Sequence, residues 1–338
     1  VIITTTARKN TEAAVLSLQK NSINLMDGLS LESIKKSGAS SVASAVKNVP
    51  GVSIQGGKFV YVRGLGDRYT KSILNGDPDR NTLQLDIFPS QILENVLVIK
   101  SATADQPADF TGGVVDIVTK DIPSREEYSL SIGASYNSDF HFKNDYLVSD
   151  KSDTDFLGFD NGLRENPLSP LQEVPLPQQN GEVVEAITQR FNPTLAAQRE
   201  KSLMDFKLSA TAGNQYEIGD NKLGFLASLS YKNETTYFDE YLDGQIYRKD
   251  EANKSNFELL ADRTQNGEVG NNNVLISGLA GLSFKTERSK YRFNVLHIQN
   301  GESEASIFRQ SNFIISSNQV KKDNLIYTER AITNGLLS

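Results

Sequence analysis

From Pro123 onward, the sequence alternates between apolar and polar residues in separate segments. In the first segment, Tyr128, Leu130 and Ile132 alternate with serine and glycine. Because successive side chains of a strand point to opposite faces, each segment predicts a β-strand with one apolar and one polar face. Six segments follow this pattern, the last one weakly, and they begin at Tyr128, Phe206, Leu223, Ile276, Tyr291 and Tyr327. The pattern restricts this part of the chain to an antiparallel sheet with two unlike faces.

The connections between these segments distinguish two antiparallel architectures, a globular sandwich and a membrane barrel. The first connection, residues 138–202, runs for about 65 residues, whereas only a short turn joins Lys285 to Lys290. Long loops at one end of the strands and short turns at the other are typical of an outer-membrane barrel. Tyr128 and Tyr136 bracket the first apolar row, as aromatic girdles do at the two edges of a bilayer. We therefore expect antiparallel transmembrane β-barrel strands.

Six strands are too few to close such a barrel. Membrane barrels have about eight strands or more. An open edge in lipid would leave backbone groups unpaired, and each such group costs several kcal/mol. We therefore expect this chain to be the N-terminal part of a longer protein.

The first 120 residues mix short helical and extended segments instead. Apolar residues at helical spacing run from Ser40 to Asn48 and stop before Pro50, which cannot continue a helix. Two runs rich in β-forming residues, Val52–Gln55 and Phe59–Val62, flank two glycines and predict a hairpin. The sequence thus predicts three parts: a segment at 1–10, a small α+β domain at 11–122, and strands with long loops at 123–338.

Two further segments carry local signals. Pro89 suits the first turn of a short helix that ends near Asn95. Asn271–Asn273 is typical of a turn between strands.

Composition and motif spacing exclude several classes of protein. The net charge of -7 disfavours binding to a nucleic-acid backbone, and the absence of cysteine removes disulfides and thiolate metal sites. The aspartates of residues 145–160 lack the spacing of a calcium loop, because Leu157 occupies a ligand position. His141 and His297 lie far apart, and no nucleophile elbow accompanies them. We predict no catalytic residue, no metal site and no cofactor.

Three stretches of the first 120 residues carry recognisable motifs. They read NVPGVSIQGGKFVYVRGLGDRYTKSILNG, FPSQILENVLVIKSAT and DFTGGVVDIVTK. Their order and content resemble the plug domain of the TonB-dependent transporters of Gram-negative outer membranes. The resemblance implies a plug inside a barrel of 22 strands, of which this chain carries about six. It also implies uptake of an extracellular ligand with energy delivered through TonB.

The resemblance extends to the start of the chain. The residues that look like the TonB-binding box are Val1, Ile2, Ile3, Thr4, Thr5, Thr6 and Ala7. Their β-branched character suits pairing with an exposed sheet edge of a partner protein. A frayed terminus is the alternative, and the acidic residue that often opens the box in the family is absent.

By resemblance, two arginines of the plug motif are expected to lock the plug to barrel carboxylates. They are Arg63, of the Val-Arg-Gly motif, and Arg68. Solvated surface arginines are the alternative. Ligand contacts are expected on the long loops and on a plug tip that carries Asp77, Asp79 and Arg80.

We therefore expect a TonB-dependent outer-membrane receptor that imports a scarce or bulky ligand, and no enzyme. The alternative is a plug-and-barrel protein that serves as a non-transporting subunit of a surface assembly. The expected partners are the periplasmic domain of TonB, outer-membrane lipid and an extracellular ligand of unknown class. Nucleic acid is not expected, and a surface lipoprotein stays open as a further partner.

Overall fold

The computed structural model has two parts, a small mixed domain and a six-stranded sheet. It describes residues 10–66, 68–78, 83–101, 112–123, 125–169, 171, 173, 175–176, 178, 180–249, 253–313 and 318–338. The mixed domain contains short helices and a five-stranded sheet, and the six-stranded sheet is entirely antiparallel. The predicted class, an α+β plug followed by antiparallel barrel strands, is confirmed.

Side-chain caps fix the helices of the mixed domain, here named the plug. Its helices are α1 (Glu12–Asn21), α2 (Leu31–Lys36) and α3 (Val42–Val46). The Ser30 side chain accepts from the Ser33 N–H at the start of α2, and Ser41 and Ser44 form a capping box at the start of α3. Among the helices of the described ranges, none is long and apolar enough to cross a membrane.

The plug sheet brings distant segments together. Its strands and the neighbouring hairpin are β1 (Met26–Ser30), β2 (Val52–Gln55), β3 (Phe59–Val62), β4 (Thr70–Leu74), β5 (Asp77–Pro78), β6 (Leu93–Ile99) and β7 (Gly113–Thr119). The sheet order is β1-β6-β7-β4-β5, with β4 and β7 parallel, while β2 and β3 pair separately as the predicted hairpin. The predicted helix from Pro89 to Asn95 is wrong. A single 3-10 turn, Ser90–Ile92, leads directly into β6, because pairing with β1 and β7 overrides the local helical signal.

The glycine-rich stretch that follows β2 is a turn. Gly56 and Gly57 adopt φ angles of 60° and 74°, in the left-handed region that glycine enters without a steric penalty. The turn lets β2 and β3 pair in register from Val52 with Val62 to Gln55 with Phe59.

The second part is a wall of long strands with a smaller structure attached. The elements are β8 (Glu127–Ser135), β9 (Tyr146–Val148), α4 (Gly181–Thr188), β10 (Gln198–Glu200), β11 (Asp205–Ile218), β12 (Asn221–Arg248), β13 (Leu259–Lys285), β14 (Lys290–Asn312) and β15 (Gln319–Leu337). The order β15-β14-β13-β12-β11-β8 is that of a partial barrel made of consecutive neighbours. Strand β12 has 28 residues, more than the roughly 9–11 that cross a bilayer.

The strands are longer than the apolar alternation predicts. Asn271–Asn273, expected as a turn, lies inside β13, where Asn272 pairs with Thr235 on one side and Ser303 on the other. The turn prediction is wrong because ladder pairing to two neighbours outweighs the local preference of asparagine for turns. Much of the polar sequence between the apolar rows is therefore strand rather than loop.

The two faces of the wall have the predicted difference in character. Tyr128, Leu130 and Ile132 are 62%, 71% and 77% exposed on the outer face. Leu226 interrupts the alternation of β12, and it is 4% exposed because it faces inward. The inner face packs against the plug, so the side chain of Leu226 is buried there rather than exposed to solvent.

Candidate functional site

The interface between the plug and the inner wall has an apolar centre. One continuous cluster of buried side chains joins plug residues such as Phe88 and Val96 to residues of the wall. The wall residues in this cluster are Leu226, Leu275, Leu279, Leu296 and Ile298. The plug and the wall therefore share a single hydrophobic core.

A group of charged residues joins the plug to the wall beside this core. We call Lys58, Asp86, Glu302 and Arg330 the interface charge cluster. Lys58 of the plug lies 3.2 Å from the Glu302 carboxylate of β14. Asp86 of the plug lies 2.9 Å from the Arg330 guanidinium of β15. Arg330 also lies 3.4 Å from Glu302, so the two pairs form one connected network.

Arg330 is the centre of the network. Its Nε donates to Asn300 Oδ1 at 2.8 Å, and its Nη1 donates to both Asp86 and Gln84. Its side chain is 14% exposed, and that of Asp86 is 20% exposed. Asp86 Oδ1 is buried with no hydrogen-bond partner among the described residues, so the contact with Arg330 offsets part of the cost of burying this carboxylate.

Glu302 is held from three directions. Asn271 Nδ2 donates to its Oε1 at 3.1 Å, and Lys58 and Arg330 lie at its Oε2. The carboxylate thus has hydrogen-bond or ion-pair partners on β13, on β15 and on the plug. A cation of the plug and a cation of the wall share one acceptor, which ties the position of the plug hairpin to the wall.

A second attachment lies where the plug leads into the wall. The Asp121 carboxylate lies 3.3 Å from Arg292 and 3.8 Å from Lys290, both at the start of β14. Ile122 and Pro123 then pass close to the inner face at wall glycines. A Cβ built on Gly224 would lie 2.5 Å from Ile122 Cγ2, and one built on Gly213 would lie 2.8 Å from Pro123 Cγ. We call this contact the linker notch.

The structure describes some of the predicted site residues and not others. Val1 through Ala7 lie outside the described residues, so the TonB-binding box stays a prediction. Arg63 and Arg68 are exposed plug residues, and Arg63 adopts a φ of 55° that favours glycine. The ion pairs between plug and wall in the described part of the chain include those of Lys58, Asp86 and Asp121. A lock at Arg63 or Arg68 stays a prediction.

The predicted ligand tip lies only partly within the described residues. Asp77 is exposed in β5, whereas Asp79 and Arg80 lie outside the described ranges. The turn before Asp77 is attached to the end of β7, because Asn75 Oδ1 accepts from the Thr119 N–H at 2.9 Å. Thr119 is two residues before Asp121, so Asp77 lies near the short-turn end of the wall.

A half-buried carboxyl group supports the same turn. Asp116 of β7 accepts a hydrogen bond from the Gly76 N–H at 3.1 Å. Burial raises the pKa of Asp116 to about 6, against the weaker opposite effect of the Gly76 N–H. Protonation of this group therefore falls within a mildly acidic pH range.

The aspartate-rich loop organises around an arginine. Arg164 binds Asp155 at 2.7 Å and Asp160 at 2.6 Å, and its guanidinium lies 4.4 Å from the centre of the Tyr327 ring. Burial opposes ionisation of Asp160, but donors from Arg164 and Gly162 outweigh it and lower the pKa of that carboxyl group. Within the described ranges, no group of three or more acidic or histidine side chains could hold a metal ion.

Sequence reasoning missed the interface charge cluster. Lys58 and Glu302 are 244 residues apart, and so are Asp86 and Arg330. The sequence offered only local signals for these residues. Lys58 follows the hairpin glycines, and Glu302 and Arg330 are charged residues on the polar faces of their strands.

Comparison with known proteins agrees with this architecture. The family model described as TonB-dependent Receptor Plug Domain matches residues 19–114. No curated protein sequence matches the chain significantly. The match covers the end of α1, the helices α2 and α3, the hairpin and the start of β7.

Comparison with solved structures gives matches with TM-scores below 0.5, among them these three. The outer membrane transporter YddB from Escherichia coli has 11% identity and a TM-score of 0.37, covering 92% of this chain and 44% of its own. The siderophore receptor PirA from Acinetobacter baumannii has 13% identity and a TM-score of 0.30, and the match covers 95% of this chain and 61% of PirA. The alcaligin receptor FauA from Bordetella pertussis has 10% identity and a TM-score of 0.33, and the match covers 92% of this chain and 60% of FauA.

This chain spans 44% to 61% of the length of those three proteins. Among the described residues, the wall has six strands. The plug-domain match shows that residues 19–114 of this chain carry the plug domain of the TonB-dependent receptors.

Proposed function

We propose that this protein imports a scarce or bulky extracellular ligand, with the plug as its gate and TonB as its source of energy. The observation that carries the proposal is the attachment of the plug to the wall through a small charge cluster beside an apolar core. A plug held in this way blocks the lumen at rest. Its ion pairs can break without unfolding the strands that supply them.

The position of the hairpin supports the direction of transport. The short turns join β11 to β12 and β13 to β14, and they mark the periplasmic end of the wall. Lys58 contacts Glu302, which lies about 12 residues along β14 from that end and so roughly 40 Å along the strand. The hairpin turn therefore faces the extracellular half of the lumen, where a ligand arrives.

The exposed arginines and the plug tip complete the proposal. Arg63 and Arg68 are exposed residues of the plug, and their proposed role is to contact carboxylates of further barrel strands. Asp79 and Arg80 are proposed as ligand contacts. Asp77 lies near the periplasmic end, so its proposed role is contact with a ligand that leaves the lumen.

TonB binding is the first element of the proposal to test. The chain lacks cysteine, so single cysteines can be placed at each of Val1 through Ala7 in the intact receptor. Disulfide trapping is then measured against a cysteine on the pairing edge of the TonB periplasmic domain. Trapping that alternates from residue to residue is expected, because alternate side chains of a paired strand face opposite sides.

Ser17→Cys is the matched control. Ser17 is exposed on helix α1, and it lies outside the proposed TonB-binding box. Equal trapping at Ser17 and at every position of the box would mean nonspecific collision. No trapping at any position of a folded, membrane-inserted receptor would reject energised import and favour the non-transporting subunit.

A further inference from the structure

The connection between β8 and β11 lies against the outer face of the wall. We call residues 137–169 the outer segment. Ser149 Oγ lies 2.9 Å from Ser303 Oγ of β14, and Gln299 Nε2 donates to the Gly158 carbonyl at 2.7 Å. On the same strand, Asn300 and Glu302 contact the inner network. Because strand residues alternate between faces, Gln299 and Ser303 lie on the outer face.

Glycines of the wall allow this close contact. A Cβ built on Gly301 would lie 2.8 Å from the Gly158 Cα, and one built on Gly158 would lie 3.1 Å from the Gly301 nitrogen. A Cβ on Gly270 of β13 would overlap the Leu147 carbonyl oxygen. Two crossing points of the segment thus coincide with glycines, at positions where any side chain would displace its backbone.

The outer segment crosses the wall at the upper edge of the lipid. Tyr291 lies in the exposed aromatic row near the short turns, at the lower edge. A tilted strand spans the bilayer in about 9–11 residues, so β14 leaves the lipid close to Gly301. The aromatic residue of β15 near this level, Tyr327, is covered by Arg164 of the outer segment.

The segment presents its own aromatic side chains at this crossing. Phe156 and Phe159 flank Gly158, and they are 59% and 37% exposed. Nearer β8, Phe142 is exposed and its ring lies 5.9 Å from that of Tyr136. Exposed aromatic rings are favoured at the boundary between lipid tails and headgroups, where they pack on chains and remain near water.

We propose that the outer segment is a membrane-contacting collar, which binds the headgroup region of the outer leaflet through Phe156 and Phe159. It supplies the upper aromatic belt for β14 and β15, because Gly301 carries no side chain and Tyr327 is covered. The surface is continuous with the lipid-facing wall, so its partner is lipid. This inference rests on the outer-membrane placement in the proposed function.

Fluorescence quenching in bilayers tests the collar. The intact receptor carries one cysteine labelled with a small fluorophore and is reconstituted in phosphatidylcholine vesicles with a nitroxide on the headgroup or on the acyl chain. F156C is compared with L229C on the lipid-facing wall and with L242C, an exposed leucine about 11 residues beyond Tyr231 on β12. We expect headgroup nitroxide to quench F156C about threefold more than L242C, and acyl-chain nitroxide to quench L229C.

A glycine substitution tests the contact between the outer segment and the wall. Gly301→Val forces the segment off the wall, and it should reduce headgroup quenching at position 156 toward that of L242C. Gly278→Val is the matched control, because a Cβ there has no neighbour within 4 Å. If L229C is quenched while F156C behaves like L242C, the collar is rejected and membrane placement stands. If L229C is not quenched either, membrane placement itself fails, and the collar fails with it.

Discussion

Arg330→Gln is expected to loosen the plug by removing the cation at the centre of the interface charge cluster. The Arg330–Asp86 ion pair spans 2.9 Å, and at an effective dielectric constant of 20 its attraction is about 6 kcal/mol. Desolvation of both groups offsets much of this attraction. Removing one partner of a buried pair usually costs about 3–5 kcal/mol. Because 14% and 20% of the two side chains remain exposed, we expect a loss of about 2–3 kcal/mol.

The assay is release of the plug in urea. A spin label at Lys47→Cys, an exposed plug position, reports the mobility of the plug in the intact receptor. With a denaturant slope of about 2 kcal/mol per molar, the loss should lower the midpoint of release by about 1–1.5 M. Lys321→Gln is the matched control, because Lys321 lies on the same strand, pairs with Asp323 and has a side chain that is 66% exposed.

A double-mutant cycle then separates the ion pair from other effects. Once Asp86→Asn has neutralised the partner, Arg330→Gln should have a smaller effect than in the original protein. Equal midpoints for Arg330→Gln and Lys321→Gln would refute the reasoning. That result would mean that the apolar core alone holds the plug.

Three further predictions concern the linker notch, the plug carboxyl group and the outer segment. Gly224→Val should destabilise the plug by about 1–3 kcal/mol through overpacking against Ile122, whereas Gly278→Val should have little effect in the same urea assay. Asp116 has a folded pKa of about 6, above its value in the unfolded chain, so the plug's free energy of unfolding should fall by about 2 kcal/mol as pH rises from 4 to 6.5. Asp116→Asn should remove this slope, and an unchanged slope would assign it to other groups. Arg164→Gln leaves Asp155 and Asp160 without their shared cation, so limited proteolysis should cut residues 150–169 faster than in the original protein. An equal rate of cleavage would contradict the role given to Arg164.

The sequence predicted the strands better than their lengths. The apolar rows near Leu223 and Ile276 alternate because one face of each strand is exposed on the outer side and the other faces the plug. Beyond these rows, as around Asn271–Asn273, both faces carry polar residues, so the period of two disappears although the ladder continues. Period-based reasoning cannot detect a strand whose two faces are both polar.

The candidate site was less predictable than the fold. The motif arginine Arg63 was a recognisable feature of the sequence, whereas Arg330 lies in a strand whose alternation is weak. Its partner Asp86 is 244 residues away, and only the closing of the wall around the plug brings them together. Leu226 shows the same effect for apolar residues. The sequence shows that Leu226 interrupts the alternation, but only the structure shows the cause, which is its packing against the plug.

Under the proposed import, the apolar stripe on the inner wall restricts the route of the ligand. Leu226, Leu275, Leu279, Leu296 and Ile298 are each below 5% exposed with the plug in place. Each such side chain contributes about 1.5–3 kcal/mol when buried, so wetting all five would cost about 8–15 kcal/mol. A water-filled path between the plug and these strands would carry that full hydration penalty. We therefore expect β12, β13 and β14 to form the stationary side of the passage, with the ligand crossing on the side of the plug away from them.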